Sequence, residues 1–193
     1  EGHQLVLCVG RIDAVKNQGW LLSQAPQLLR ANPRALLLFV GACMDPLHWA
    51  TLLERIARPE FDGRVLLAGG LPPEDPRLIG LMQSASLVVL PSISETFGLV
   101  ILEAWAAGAP VLASRTTGAS ALIRSGENGW LFDLDDPISF HAALNRALRE
   151  PELGRRFAAA GSRIVETQFD TIGLAGGIRR LYDELIEEQH ALR

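Results

Sequence analysis

Six short apolar runs, each separated from the next by a stretch of helical period or a turn-rich loop, limit this 193-residue chain to few architectures. The runs are Leu5–Val9, Ala35–Val40, Arg64–Ala68, Leu87–Leu90, Pro110–Ala113 and the short Trp130–Phe132. They are continuous rather than alternating, so both faces of each strand must be covered, as in a parallel sheet. Helical spacing occupies Gln18–Ala31, Pro46–Arg58, Pro76–Ala85, Phe97–Ala107 and Ala119–Ser125. This order predicts an α/β class: a Rossmann-like parallel sheet with helices on both faces. After Phe132 the pattern is helical only. Asp136-Pro137 reads as an N-cap followed by Pro at the first helical position, opening a helix that runs to Arg149. Segments Pro151–Glu166 and Ile172–Gln189 complete a C-terminal helical tail. The chain shows no tandem repeat, low-complexity tract or interdomain linker, and reads as one domain with that tail.

Composition excludes several classes of partner. With 48% hydrophobic and 21% charged residues, the chain has the make-up of an ordinary soluble globular protein. A net charge of −4 and scattered arginines leave no basic stripe for nucleic acid; Arg155/Arg156 and Arg179/Arg180 fall on polar helix faces. No apolar run reaches the ~18 residues of a membrane span, and residues 1–10 do not resemble a signal peptide, so a cytoplasmic location is expected. The start at Glu1, without Met, fits a fragment of a longer protein. Cys8 and Cys43 fall in or beside predicted buried strands and read as reduced core residues, not as a disulfide or metal pair.

Ligands of open α/β sheets bind at the carboxyl ends of the strands, where three segments carry chemistry. In VGRIDAVKNQ, Gly10 ends the first strand, and Arg11 and Lys16 follow in a loop; a planar fork and a point charge suit a diphosphate. Lys16 is the one Lys among 18 Lys and Arg residues. The competing reading is a solvated loop in which Asp13 pairs with either cation.

The second segment is SETFGLVILEAWAAGAP, residues 94–110. Glu95 precedes a helix start whose amides, those of Phe97, Gly98 and Leu99, favour an anion, with Thr96 between. Glu103 is the only charge between Thr96 and Pro110, and burial among apolar neighbours costs a carboxylate hydration. A helical rise of ~1.5 Å per residue would put the two carboxylates no more than about 12 Å apart, able to hold two polyol groups of one elongated ligand. Otherwise Glu95 merely complements a helix dipole and Glu103 pairs with Arg115 or Arg124. Trp105 reads as core.

In the third segment, residues 115–130, Thr117-Gly118 could approach a ligand and Asn128-Gly129 reads as a tight turn. Asp133, Asp135 and Asp136 lack His or Glu partners at ligand spacing, so capping explains them better than a metal. His48 and His141 read as helix-face residues, and His3 and His190 sit near the termini. No Ser-His-Asp or Cys-His arrangement is present, and Gly69-Gly70 is not a dinucleotide fingerprint.

Taken in order, these motifs resemble the C-terminal half of the retaining, nucleotide-sugar-dependent glycosyltransferases of family 4 (group 1), of GT-B fold. The matching pieces are GR-x4-K (Gly10, Arg11, Lys16), LPS-x-x-E-x-FG (Leu90 to Gly98), EA-x3-G-x-PV (Glu103 to Val111) and G-x-NG (Gly126 to Gly129). The resemblance implies a hexosyltransferase using a UDP- or GDP-hexose, and the GRIDAVKNQ start looks closer to the sucrose-phosphate-synthase-like branch, favouring UDP-glucose.

By position, the resemblance makes Arg11, Lys16 and Glu95 the catalytic set. Arg11 and Lys16, beside Gly10, would neutralise the donor's diphosphate. Glu95 would accept hydrogen bonds from the sugar, with the backbone from Thr96 through Phe97 and Gly98 to Leu99 holding sugar or phosphate. Glu103 would grip the ribose, and Gly70–Leu71 would border the base. No cofactor or metal is implied, since the cations replace one. The resemblance further implies a nucleotide-sugar-binding domain at residues 1–170 and a helix at 171–193 that crosses back to an N-terminal domain carrying the acceptor site; the isolated chain would bind nucleotide and turn nothing over. Two loops depart from the family pattern: Thr117-Gly118-Ala119-Ser120-Ala121 replaces a Gly-Gly-x-Pro-Glu run, and Gly41-Ala42-Cys43-Met44-Asp45 replaces a Gly-rich turn. The alternatives are a non-catalytic nucleotide-binding or interaction module and a GT-B epimerase or phosphorylase, although Lys16 is misplaced for a pyridoxal-phosphate lysine.

Overall fold

In the computed structural model, residues 2–191 are described, with 171, 172, 174 and 187–191 described by backbone alone. The side chain expected near the terminus at His190, and residues 192–193 of the expected tail, therefore lie outside the described residues. Strands β1 (Gln4–Val9), β2 (Ala35–Val40), β3 (Val65–Ala68), β4 (Ala85–Leu90), β5 (Val111–Ser114) and β6 (Trp130–Phe132) form one sheet in the order β3-β2-β1-β4-β5-β6. Every pairing is parallel. Helices α1 (Gln18–Ala31), α2 (Pro46–Ile56), α3 (Pro76–Ser84), α4 (Leu99–Ala106) and α5 (Thr117–Leu122) alternate with the strands. The tail is α6 (Pro137–Arg149), α7 (Pro151–Gln168) and α8 (Thr171–Ala191).

The continuous apolar runs are explained by burial on both faces. Along β1, Val6 and Cys8 point into a layer with Leu21 and Leu28 of α1, Phe39 and Phe140, while Leu7 and Val9 point into a second layer with Met82, Ile101 and Trp105. Trp105 is fully buried, as read from the sequence. Gly161 of α7 lies so close to it that a Cβ there would come 2.4 Å from the indole, and Ser162 Oγ donates to the Trp105 carbonyl at 2.6 Å. Burying side chains of this size stabilises by roughly 1.5–3 kcal/mol each.

Three helices open on the same Asp-Pro device. Asp45 accepts from the Leu47 and His48 amides, Asp75 from Arg77 and Asp136 from Ser139, each with Pro in the first turn. Such caps contribute about 0.5–2 kcal/mol apiece.

Some boundaries move. α4 begins at Leu99, not Phe97, because Gly98 takes the N-cap in the left-handed region, φ 91°. α5 covers 117–122 because Thr116 caps it through the Ala119 amide at 3.3 Å. It ends before Ser125 because the buried Asn128 side chain takes the Arg124 amide at 2.8 Å and donates to the Leu122 carbonyl at 3.0 Å. Asn128-Gly129 is thus more than a turn: Asn128 pins the loop from inside. Cys43 is exposed, not core, since its strand ends at Val40. Cys8 is core, and burial pushes its thiol up to about 12 despite the opposing charge of Lys16.

Candidate functional site

The strand order turns around between β1 and β4, which opens a crevice at their carboxyl ends. The two loops that leave those ends carry the charges singled out in the sequence, and they are zipped together. Ile93 N–H donates to the Val15 carbonyl at 2.8 Å, and the Lys16 ammonium is ion-paired and hydrogen-bonded to Glu95 Oε2. Both side chains are mostly sheltered, at 17% and 22% exposure. The stem of Lys16 lies over Gly10, where a Cβ would meet its Cδ at 3.5 Å. Gly10 has φ 149°, a backbone state that favours glycine.

Arg11 projects from the same loop, with its side chain 59% exposed and its Nε 3.4 Å from Asp13 Oδ2. Asp13 therefore pairs with Arg11, while Lys16 takes Glu95. The Glu95 loop is held from behind: Ser114 Oγ donates to the Ser92 carbonyl at 2.5 Å, and Gly118 N–H donates to the Glu95 carbonyl at 2.7 Å. A Cβ on Gly118 would lie 2.7 Å from the Phe97 nitrogen. Thr117-Gly118 thus belongs to a helix that braces the Glu95 loop, and Gly118 approaches backbone rather than an open ligand space. The Phe97 ring meets Phe169 edge-on, centroids 5.9 Å apart, which ties this loop to the end of α7.

A groove of about 480 Å³ is lined by Gly10, Arg11, Gly41, Gly70, Leu71 and Glu103 among others. Its floor depends on close backbone contact. A Cβ on Gly41 would sit 1.7 Å from the Gly10 carbonyl oxygen, and one on Gly70 would sit 2.6 Å from the Ala42 nitrogen. Gly41 and Gly70 therefore keep the three strand ends in one layer, a role that the sequence reading assigned to neither. Glu103 is part of the groove lining, and partial loss of hydration raises its carboxyl above its ordinary value. It forms no ion pair among the described residues, and Arg115 instead pairs with Asp133 at 3.1 Å.

The structure brings Gly10, Arg11, Gly70, Leu71 and Glu103 to one groove and joins Lys16 to Glu95 beside it. It changes the geometry expected of the acidic pair. Only residues 99–106 are helical, so the rise of a helix does not measure the distance from Glu95 to Glu103. Thr96, Phe97 and Gly98 belong to the loop, and the unpaired amides of the first helical turn start at Leu99. His141 lies on the buried face of α6: it is 4% exposed, with Nε2 3.2 Å from Gln24 Oε1, and burial lowers its pKa. Asp136 is the cap foreseen for α6.

The sequence profile of the glycosyl transferases group 1 family matches residues 3–150. The D-inositol 3-phosphate glycosyltransferase of Nocardia farcinica is 35% identical over 198 aligned positions, which cover 100% of this chain and 43% of that protein. The Thermobifida fusca enzyme of the same name is 33% identical, over 81% of this chain and 37% of its own length. The chain thus spans less than half the length of these curated relatives. Sucrose-phosphate synthase from Thermosynechococcus elongatus superposes with a TM-score of 0.81 at 28% identity, covering 96% of this chain and 46% of that one. Anabaena HepE, solved in complex with UDP-glucose, shares the fold with a TM-score of 0.82 at 24% identity, over 94% of this chain and 49% of that one. With the family profile extending over most of its length, the chain belongs to the glycosyl transferases of group 1.

Proposed function

We propose that this chain is the donor-binding half of a hexosyltransferase that takes a sugar from a UDP- or GDP-hexose and passes it, with retention, to an acceptor. The observation that carries this reading is the Lys16–Glu95 pair at the β1/β4 crevice, with the Lys16 stem over Gly10, which together with Arg11 and Glu103 lines the neighbouring groove. Such a layout offers cations at the middle of an elongated ligand and a carboxylate toward each polyol. Glu95 accepts from the sugar hydroxyls, Arg11 and Lys16 stabilise the departing diphosphate, and Glu103 accepts from the ribose. This is electrostatic catalysis, directed at charge that develops as the glycosidic bond breaks. Arg11 and Lys16 supply the positive charge, so no metal or cofactor enters the reading.

In this proposal residues 1–170 form the nucleotide-sugar domain, and the segment 171–193, which includes α8, reaches toward a second domain that holds the acceptor. A cytoplasmic setting is part of the same reading; the structural observation is that no helix among the described residues is long and apolar enough to cross a membrane. UDP-glucose heads the donors to test, because the HepE structure of the same fold holds it.

Calorimetric titration of the chain with UDP, GDP and UMP tests the site. The second phosphate gains contacts to Arg11 and Lys16, and hydrogen bonds to charged groups contribute about 1.5–3 kcal/mol, so UDP binds at least tenfold tighter than UMP. Equal affinities for UDP and UMP, together with no binding of GDP, would overturn the assignment. The isolated chain is expected to bind without turnover. In the whole protein, a product of inverted anomeric configuration would overturn retention.

A further inference from the structure

We propose that Asp13 is a positioning residue that, by accepting the Lys16 backbone N–H, fixes the β1–α1 loop from which Lys16 faces a diphosphate, an inference that rests on the donor-site reading above. A carboxylate beside an anion site opposes binding by simple Coulomb repulsion, so its place there calls for a compensating role. Asp13 touches both halves of the cationic loop. Its Oδ1 accepts the Lys16 backbone N–H at 2.9 Å, and its Oδ2 lies 3.4 Å from Arg11 Nε. Its side chain is 17% exposed whereas that of Arg11 is 59% exposed, so the carboxylate is the sheltered anchor and the guanidinium the outlying partner.

The remaining bonds of the loop place the same emphasis on backbone position. Gln18 Nε2 donates to the Arg11 carbonyl at 2.7 Å, and Asn17 N–H reaches the Asp13 carbonyl at 3.3 Å. Asn17 holds the left-handed conformation at φ 57°, which turns the chain sharply into α1. Lys16 is therefore fixed at its backbone by Asp13 and at its ammonium by Glu95, through two independent contacts. Long cationic side chains lose much rotamer freedom when they are held, and an anchored loop has part of that ordering done before a ligand arrives.

The two contacts of Asp13 can be separated by substitution. Asp13→Asn keeps the side-chain oxygen that accepts from Lys16 N–H and removes the charge that faces Arg11. Asp13→Ala removes both. The experiment measures UDP affinity by calorimetry and the exchange rate of the Lys16 amide by NMR in the wild-type chain and both variants, with thermal melts to verify folding.

Expected are about a fivefold loss of UDP affinity in Asp13→Ala, the size set by one intramolecular hydrogen bond, and faster exchange of the Lys16 amide. Asp13→Asn is expected to restore both to within twofold of wild type. Wild-type affinity in Asp13→Ala, or an equal loss in Asp13→Asn, would overturn the positioning role. Failure of the wild-type chain to bind UDP would instead defeat the donor-site reading. In that event Lys16 amide exchange still decides the anchoring: acceleration in Asp13→Ala with rescue in Asp13→Asn supports it, and unchanged exchange in Asp13→Ala overturns it.

Discussion

Replacing Lys16 by Met separates the structural from the ligand-binding share of the crevice. Methionine keeps an unbranched stem, so the packing of the side chain over Gly10 largely survives. The ammonium is lost, and Glu95 is left without its partner. With 17% and 22% of the two side chains exposed, the pair falls between an exposed bridge, at about 0.2–1 kcal/mol, and a buried one, whose breakage costs about 3–5 kcal/mol. A loss of roughly 1–2 kcal/mol in unfolding free energy follows, and Glu95→Gln should cost a similar amount. The double variant should lose less than the sum, with a coupling on the order of 1 kcal/mol. Affinity behaves differently. Lys16→Met removes a charge-assisted contact to phosphate of about 1.5–3 kcal/mol, roughly 10- to 150-fold in UDP binding. Glu95→Gln frees Lys16, so UDP binding holds or tightens, while ligands that carry the sugar bind more weakly. Urea melts and calorimetry at one pH and one ionic strength measure both quantities. If Lys16→Met and Glu95→Gln weaken UDP equally, the pair is only a strut between two loops, and the assignment of Lys16 to the diphosphate fails.

Other expectations follow from single residues. Glu103 has a raised carboxyl because of lost hydration; its neutral form favours the fold, and that contribution disappears as pH rises through the folded pKa. Glu103→Gln should therefore melt higher than wild type at pH 7, with the gap closing in acid, while UDP affinity falls; a lower melting temperature at pH 7 would contradict this. His141 is buried with a lowered pKa, so its neutral form favours the fold and stability declines as pH falls from the ordinary imidazole range toward the folded value. His141→Gln should flatten that slope in urea melts measured from pH 7 to pH 5. Gly41→Ala drives a methyl to 1.7 Å from the Gly10 carbonyl oxygen; forcing backbone apart in a packed region costs about 1–3 kcal/mol or more, and denaturation should show that loss together with weaker UDP binding. A Gly41→Ala chain as stable as wild type would refute the account of the groove floor.

The sheet was legible because its strands are buried on both faces: a run such as ALLLFV has no polar side to expose, and β2 begins and ends where the run does. The helix start at Asp136 was equally plain, since a capping carboxylate and a proline fix it locally. The start of α4 was not legible. Gly98 could serve as either a helix residue or a left-handed cap, and the choice was settled by the chain on which it packs. A Cβ there would meet Ile101 Cδ1 at 2.9 Å and Leu122 Cδ1 at 3.2 Å, the latter on a helix more than twenty residues away in sequence. The backbone contacts of Gly41, Gly70 and Gly118 were hidden for the same reason, because each is constrained by backbone remote in sequence, although Gly70 and Gly118 were singled out for a ligand. A Gly-rich pattern flags a close approach without naming what is approached.

Partner choice among the charges shows the same division. Four ionisable groups stand at the crevice, and the sequence offered Asp13 to either cation. Folding assigns it by reach: β1 and β4 are neighbours in the sheet, so the loops that follow them meet, and Lys16 finds Glu95 across 79 positions. Asp13 is left to Arg11 and to the Lys16 amide. The cluster of Arg11, Lys16, Asp13 and Glu95 then carries no net formal charge, on a chain whose own net charge is −4. Long-range attraction therefore does not account for the proposed binding of a dianion at this crevice. On the proposed donor-site reading, selection comes from donors already in position and from exchange of partners, the phosphate taking the cations while the sugar hydroxyls take Glu95. A bare anion such as sulfate satisfies only the first half of that exchange and leaves a carboxylate without its cation. The proposed site would thus favour a ligand that brings hydroxyls and diphosphate together over one that brings charge alone.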